Sequence, residues 1–236
     1  MLCIGRFSPK HQPLSQGCSC HTCSMSEQKT AEKELIGAPR SLALVLIIFG
    51  IIGWIGAFAL TIERIHVATD PGATLACDLN IFISCKTVML TWQAKLLGFP
   101  NSLIGIAAFM APIIVGFATL AGAKFAKWFW RLFLLGNFFG FLFVLWLFTQ
   151  SLLVINVLCP YCMVAWTGMI PIFVTLFLFS AREDIIPMPI RTTAFWDGAF
   201  AKAWIWVVVT FLIIIIAITV RFWTRWIPMF TQLGWI

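Results

Sequence analysis

From Leu132 to Ala181 the chain runs for 50 residues without one Asp, Glu, Lys or Arg. As a single α-helix that run would be about 75 Å long at 1.5 Å per residue, against a bilayer hydrocarbon core of about 30 Å. It has to fold back on itself, and Thr149, Gln150, Ser151, Asn156 and Pro160 supply the polar and helix-breaking residues for a turn. Three further uncharged runs each suffice for one crossing: Ser41–Ile62, the stretch between Lys95 and Lys124, and that between Lys202 and Arg221. The sequence thus predicts five transmembrane helices in an all-α integral membrane protein. A chain that is 61% hydrophobic and 11% charged cannot assemble the polar exterior of a soluble domain. Its net charge of +7 rests on 16 basic residues against 9 acidic ones, too sparse for a nucleic-acid-binding face.

Five spans put the termini on opposite sides, and the basic residues choose the orientation. With the N-terminus in the cytoplasm, that side receives Arg6, Lys10, Lys29, Lys33, Arg40, Lys124, Lys127, Arg131, Arg182, Arg191 and Lys202. The outer side receives Arg64, Lys86, Lys95, Arg221 and Arg225, so the split is 11 to 5. Trp204, Trp206, Trp223 and Trp226 bracket the fifth span as interfacial anchors. Residues 1–40 are expected to form a disordered cytoplasmic tail without the apolar h-region of a cleavable signal. Its Cys18, Cys20, His21 and Cys23 are too crowded for a zinc site and lack a second ligand pair. Met25, which opens a polar stretch before the first span, is a second candidate start.

Four cysteines remain outside the tail: Cys77 and Cys85 after the first span, and Cys159 and Cys162 at the turn before the fourth. The topology puts all four outside, where disulfides persist. In Cys159-Pro160-Tyr161-Cys162 the proline suits the first turn of a helix, with Cys159 near the N-cap and Cys162 one turn in. A helix N-terminus favours the thiolate, the nucleophile of disulfide exchange. The four sulfurs could in principle form an all-cysteine zinc set, but the seven residues between Cys77 and Cys85 suit a mobile shuttle better than a rigid knuckle.

The ordered set Cys77-Asp78-Leu79-Asn80-Ile81-Phe82-Ile83-Ser84-Cys85, Thr91, Gly98-Phe99-Pro100-Asn101-Ser102-Leu103-Ile104-Gly105 and Cys159-Pro160-Tyr161-Cys162 resembles the vitamin K epoxide reductase family in its bacterial form. The resemblance covers residues 41–181. It implies a four-helix bundle around a quinone (menaquinone or ubiquinone), to which this chain adds a fifth transmembrane helix within residues 182–236. It further implies that Cys77 forms a mixed disulfide with a thioredoxin-like or DsbA-like exported protein. Cys85 would resolve that bond and pass electrons by thiol exchange to Cys159, while Cys162 would face the quinone ring. Asn101 would hydrogen-bond a quinone carbonyl, and Thr91 matches a Ser or Thr position near the active site. Trp166 stands where vertebrate members have a Tyr against the substrate ring; an indole stacks and donates but supplies no phenol proton.

The function so implied is quinone-dependent thiol oxidation in a bacterial inner membrane, supporting disulfide formation in exported proteins. Some bacterial members continue into a thioredoxin-like domain; here the sequence ends at Ile236, so the partner is expected to be a separate protein. The tail Arg221–Ile236 is expected along the outer interface. Reduction of a quinone or vitamin K epoxide for its own sake is the alternative within the class. A cysteine-based metal carrier is the alternative outside it, opposed by spans without ionisable residues or an inverted repeat.

Overall fold

The computed structural model describes residues 35–70, 72, 74–78, 83–186 and 193–232, the side chains of 193, 194 and 224–232 excepted. The N-terminal cysteine cluster lies outside the described residues. Among the described residues, five helices are long and apolar enough to cross a membrane. They are α1 (Arg40–Thr69), α3 (Asn101–Leu120), α4 (Lys127–Gln150), α5 (Pro160–Arg182) and α7 (Ala203–Gln232). Two short helices, α2 (Cys85–Met89) and α6 (Thr193–Ala201), lie in connections, as does the 3₁₀ turn Trp92–Lys95. The expected all-α, five-span membrane protein is the observed one.

The 50-residue uncharged run folds back where the polar residues stand. Helix α4 ends at Gln150, widens into a π-turn at Ser151–Ile155, and reverses at Asn156, whose φ is +56°. Left-handed backbone suits Asn better than the apolar residues around it. Cys159 then N-caps α5, with Pro160 in the first turn.

Helix α1 forms the spine, packing most extensively against α3 and α5, while α4 and α7 pack on α5. Lipid tails are as apolar as the side chains they meet, so close van der Waals fit rather than hydrophobic expulsion holds such helices together. At the α1–α5 crossing Gly53 meets Gly168: a Cβ on Gly168 would lie 2.7 Å from both the Gly53 Cα and the Phe49 carbonyl oxygen. Helices α3 and α4 both line the interior of the bundle but do not pack closely on each other.

The end of the bundle away from the cysteines is tied by features with no simple sequence signal. Strands β1 (Leu35–Gly37) and β2 (Lys124–Ala126) pair there. Trp130 Nε1 donates to the Ile36 carbonyl at 3.2 Å, and Arg131 Nε to the Ile185 carbonyl at 2.8 Å. Between the fourth and fifth long helices, α6 is held by the Arg182–Asp197 ion pair at 2.6 Å. The helix α7 continues past Arg221 to Gln232, so residues 221–232 of the segment expected along the outer interface are helical.

Candidate active site

Asp78 organises the first cysteine pair. Its Oδ1 accepts from the Ser84 hydroxyl at 2.8 Å and from the Lys86 backbone N–H at 3.1 Å, folding the Cys77 segment onto the start of α2. Ser84 N-caps that helix, accepting from the Thr87 N–H at 3.1 Å. Cys77 and Cys85 are thereby brought together and joined as a disulfide. The pair expected to be mobile is packed, with Val67, Leu75, Val88 and Met89, in the same apolar cluster as Cys159.

A second connection fixes this loop against the CxxC. The Ser84 N–H donates to the Leu158 carbonyl at 3.0 Å, within a parallel bridge between Ile83 and Leu158. The Cys159 thiol consequently lies 3.5 Å from the sulfur of Cys85, and both side chains are fully buried. Cys159 and Cys162 are free thiols. The hydrogen bond with the Cys162 side chain is the strongest influence on the Cys159 thiol and lowers its pKa; burial and the Asp78 charge oppose it, while the backbone N–H groups of Tyr161 and Cys162 reinforce it. The net effect favours the Cys159 thiolate, as expected at a helix N-cap.

Cys162, one turn into α5, opens onto a cavity of about 430 Å³ lined by α1, α3, α4 and α5. Its walls include Ala57, Phe109, Phe133, Phe143, Val144 and Met169, with Asn137 as a polar exception. An adjoining pocket of about 60 Å³ shares Asn101, Ser102, Cys162 and Trp166 with it and adds Arg64, Thr91 and Gln93. The chamber is therefore long and apolar, with its polar groups other than Asn137 gathered beside the inner thiol. That matches the chemistry of a quinone, whose ring carries two carbonyl acceptors and whose tail is hydrocarbon.

The residues singled out from sequence come together here, with specific roles for their polar atoms. Asn101 lines both spaces, but its carboxamide is engaged with the 3₁₀ turn. Nδ2 donates to the Gln93 carbonyl at 2.6 Å, and Oδ1 accepts from the Leu96 N–H at 3.2 Å. One N–H of Nδ2 is left for a ligand. Thr91 donates its hydroxyl to the Val88 carbonyl at 2.8 Å while lining the smaller pocket. Trp166 is buried, edge-on to Phe148 at 5.1 Å, and forms part of both cavity walls.

Three groups at this site were not anticipated. Gln93 is buried, with Nε2 donating to Gln150 Oε1 at 3.3 Å, so the turn is fastened to α4 as well as to α3. The Ser102 hydroxyl pairs with that of Thr61 at 2.8 Å. Arg64 donates to the Met89 carbonyl while lining the pocket. Ser102 follows Asn101 directly and could have been found from that neighbour; Arg64 counts equally well as a topology charge, and Gln93 belongs to no linear pattern.

The sequence model of the vitamin K epoxide reductase family matches residues 44–177, more than half of the chain. The chain belongs to that family. A comparison with curated proteins finds no match. The family makes this an oxidoreductase, and with the five apolar helices a multi-pass membrane protein. The metal-carrier alternative is not favoured: in the state seen, Cys77 and Cys85 are joined to each other rather than held as thiolates for a metal.

Proposed function

We propose that the protein oxidises the dithiol of a thioredoxin-like exported partner and passes the electrons through its two cysteine pairs to a membrane quinone. The observation that carries this reading is the position of Cys159. Its sulfur lies 3.5 Å from that of Cys85 in the loop disulfide, and it caps the helix whose first turn carries Cys162, the thiol at the apolar cavity.

The partner's thiolate attacks Cys77, and Cys85 leaves as a thiolate; the partner's second thiol then releases Cys77, so the loop pair holds two electrons as a dithiol. Cys85 next attacks Cys159 of the oxidised CxxC, displacing Cys162, and Cys77 attacks Cys85 to restore the loop disulfide and free Cys159. The arrangement seen, loop pair closed and Cys159 and Cys162 reduced, corresponds to the end of that exchange. A quinone in the cavity supplies an acceptor for two electrons and two protons, and closure of Cys159–Cys162 as a disulfide accompanies its reduction. Asn101 would hold a quinone carbonyl with its remaining N–H, and Trp166 would offer a ring face. Cys77 is only 4% exposed, so a partner reaches it after its surroundings open.

The basic-residue distribution supports placing the cysteines on the outer face of a bacterial inner membrane, with the N-terminus inside. Trp166 in place of a phenol favours quinone over epoxide as the electron acceptor. Residues 41–181 then constitute the catalytic bundle, and the fifth helix belongs to the segment 182–236.

The test is quinone reduction by purified full-length protein in detergent, with a reduced thioredoxin-like protein as donor and short-chain ubiquinone and menaquinone analogues as acceptors. Turnover by the native chain, lost in Cys77→Ala and in Cys162→Ala, is the expected result. No turnover by the native chain with any donor–quinone pair overturns the proposal.

A further inference from the structure

The fifth span lies outside the part of the chain matched to the family, yet it reaches the turn that delivers Cys159. Arg221, near the end of α7, donates from Nε to the Leu152 carbonyl at 3.1 Å and from Nη2 to Asn156 Oδ1 at 2.7 Å. Leu152 belongs to the π-turn, where the wider hydrogen-bond register interrupts the regular helical ladder. Asn156 is the left-handed residue that reverses the chain, and its own Nδ2 donates to the Val154 carbonyl at 3.2 Å. A single guanidinium therefore bridges both halves of the reversal, two-point recognition that the rigid fork of Arg provides and a point-charge ammonium does not.

Three residues later stands Cys159. Between Asn156 and Cys159, Leu158 is held by Ser84, next to Cys85. The segment from Asn156 to Cys159 thus runs between two anchors, the loop disulfide and the Arg221 clamp. Packing reinforces the second anchor: Ile218 and the fully buried Phe222 of α7 share an apolar cluster with Leu152, Leu158 and Trp166.

We infer that Arg221 is a positioning residue for disulfide exchange, holding the turn so that Cys159 stays within bonding reach of Cys85. Resting on the relay proposed above, this gives the fifth helix a part in the exchange step. The bond that forms is Cys85–Cys159, and it can be observed apart from turnover. In full-length protein carrying Cys77→Ala and Cys162→Ala, diamide takes an electron pair and two protons from the two remaining site thiols and leaves them joined.

The experiment compares the rate of that oxidation, read by mass spectrometry of alkylated peptides, in this background and after adding Arg221→Met, Arg221→Lys or Asn156→Gly. Arg221→Met keeps the stem and loses both hydrogen bonds, whereas Asn156→Gly keeps the left-handed backbone and loses the acceptor. The expected result is a fall of at least tenfold in the rate for Arg221→Met, a smaller fall for Arg221→Lys, and a fall for Asn156→Gly that combines with Arg221→Met to less than the sum of the two. With all four cysteines restored, kcat for quinone reduction falls while KM for quinone does not move. Unchanged oxidation rates, or a change confined to KM, overturn the inference. If Arg221→Met does not accumulate as folded protein, Asn156→Gly decides by itself. A native chain that turns over normally beside unaffected clamp variants overturns this inference alone, whereas a native chain without turnover overturns the relay.

Discussion

Cys159 approaches Cys85 with a sulfur–sulfur distance of 3.5 Å while Cys162, in the same CxxC, lines the cavity. The two cysteines of the motif therefore face different partners, one the loop pair and the other an apolar chamber. A chain reduced to Cys85 and Cys159 should close a disulfide under diamide, whereas one reduced to Cys85 and Cys162 should remain as two thiols. Peptide mapping of the alkylated protein distinguishes them.

Reactivity of Cys159 should depend on its neighbour. The Cys162 thiol bonds to Cys159 and favours the thiolate, so replacing it raises the Cys159 pKa. Thiolate-dependent alkylation is fast above the pKa and declines as pH falls through it. The profile of Cys162→Ala should accordingly be displaced to higher pH than that of the native chain, with slower reaction at pH 7. Maleimide labelling of Cys159 across a pH series, quantified by mass spectrometry, checks the direction.

Gly136 offers a way to fill the cavity without disturbing the helices around it. It lines the chamber, and a Cβ there meets no atom within 4 Å. Gly136→Leu should raise KM for quinone by roughly tenfold or more, since about 1.4 kcal/mol of lost binding suffices, while thermal unfolding is little changed. Steady-state kinetics and a melting curve on the same preparation separate the two effects.

Gly168 is the opposite case. A methyl group there would meet the Gly53 Cα and the Phe49 carbonyl oxygen at 2.7 Å, so α1 and α5 must part. Gly168→Ala should destabilise the fold by about 1–3 kcal/mol, the usual cost of overpacking, and lower the unfolding temperature in detergent.

Asn101→Ala removes both anchors that Asn101 gives the Trp92–Lys95 turn. Two hydrogen bonds at about 1 kcal/mol each predict loosening of the pocket beside Cys162. KM for quinone should rise about tenfold or more, and Asn101→Asp should not restore it, because a carboxylate cannot donate to the Gln93 carbonyl.

How far the sequence could be read follows from the physics of each feature. The spans are legible because lipid excludes charge, so uncharged runs such as Leu132–Ala181 mark them almost by inspection. Cys159 and Cys162 are legible because Pro160 announces the helix start that places one at the cap and the other a turn inside. Asn101 was found, but its engagement with the backbone of the 3₁₀ turn was not, since that turn has no periodicity to read. The Gln93–Gln150 and Arg221–Asn156 contacts join residues 57 and 65 positions apart, and neither leaves a local trace. In the sequence Arg221 reads as an outer-face charge at the end of the fifth uncharged run, whereas the helix continues through it to Gln232.

The loosely packed seam between α3 and α4 bears on how any affinity for this chamber should be expressed. A hydrophobic molecule arriving through that seam comes from the bilayer, without first dissolving in water. Its concentration is then a mole fraction of lipid or detergent, and added micelles dilute it as surely as added buffer dilutes a soluble substrate. Half-saturation in such a system should scale with total amphiphile at fixed protein, and values from different detergents become comparable only after that conversion.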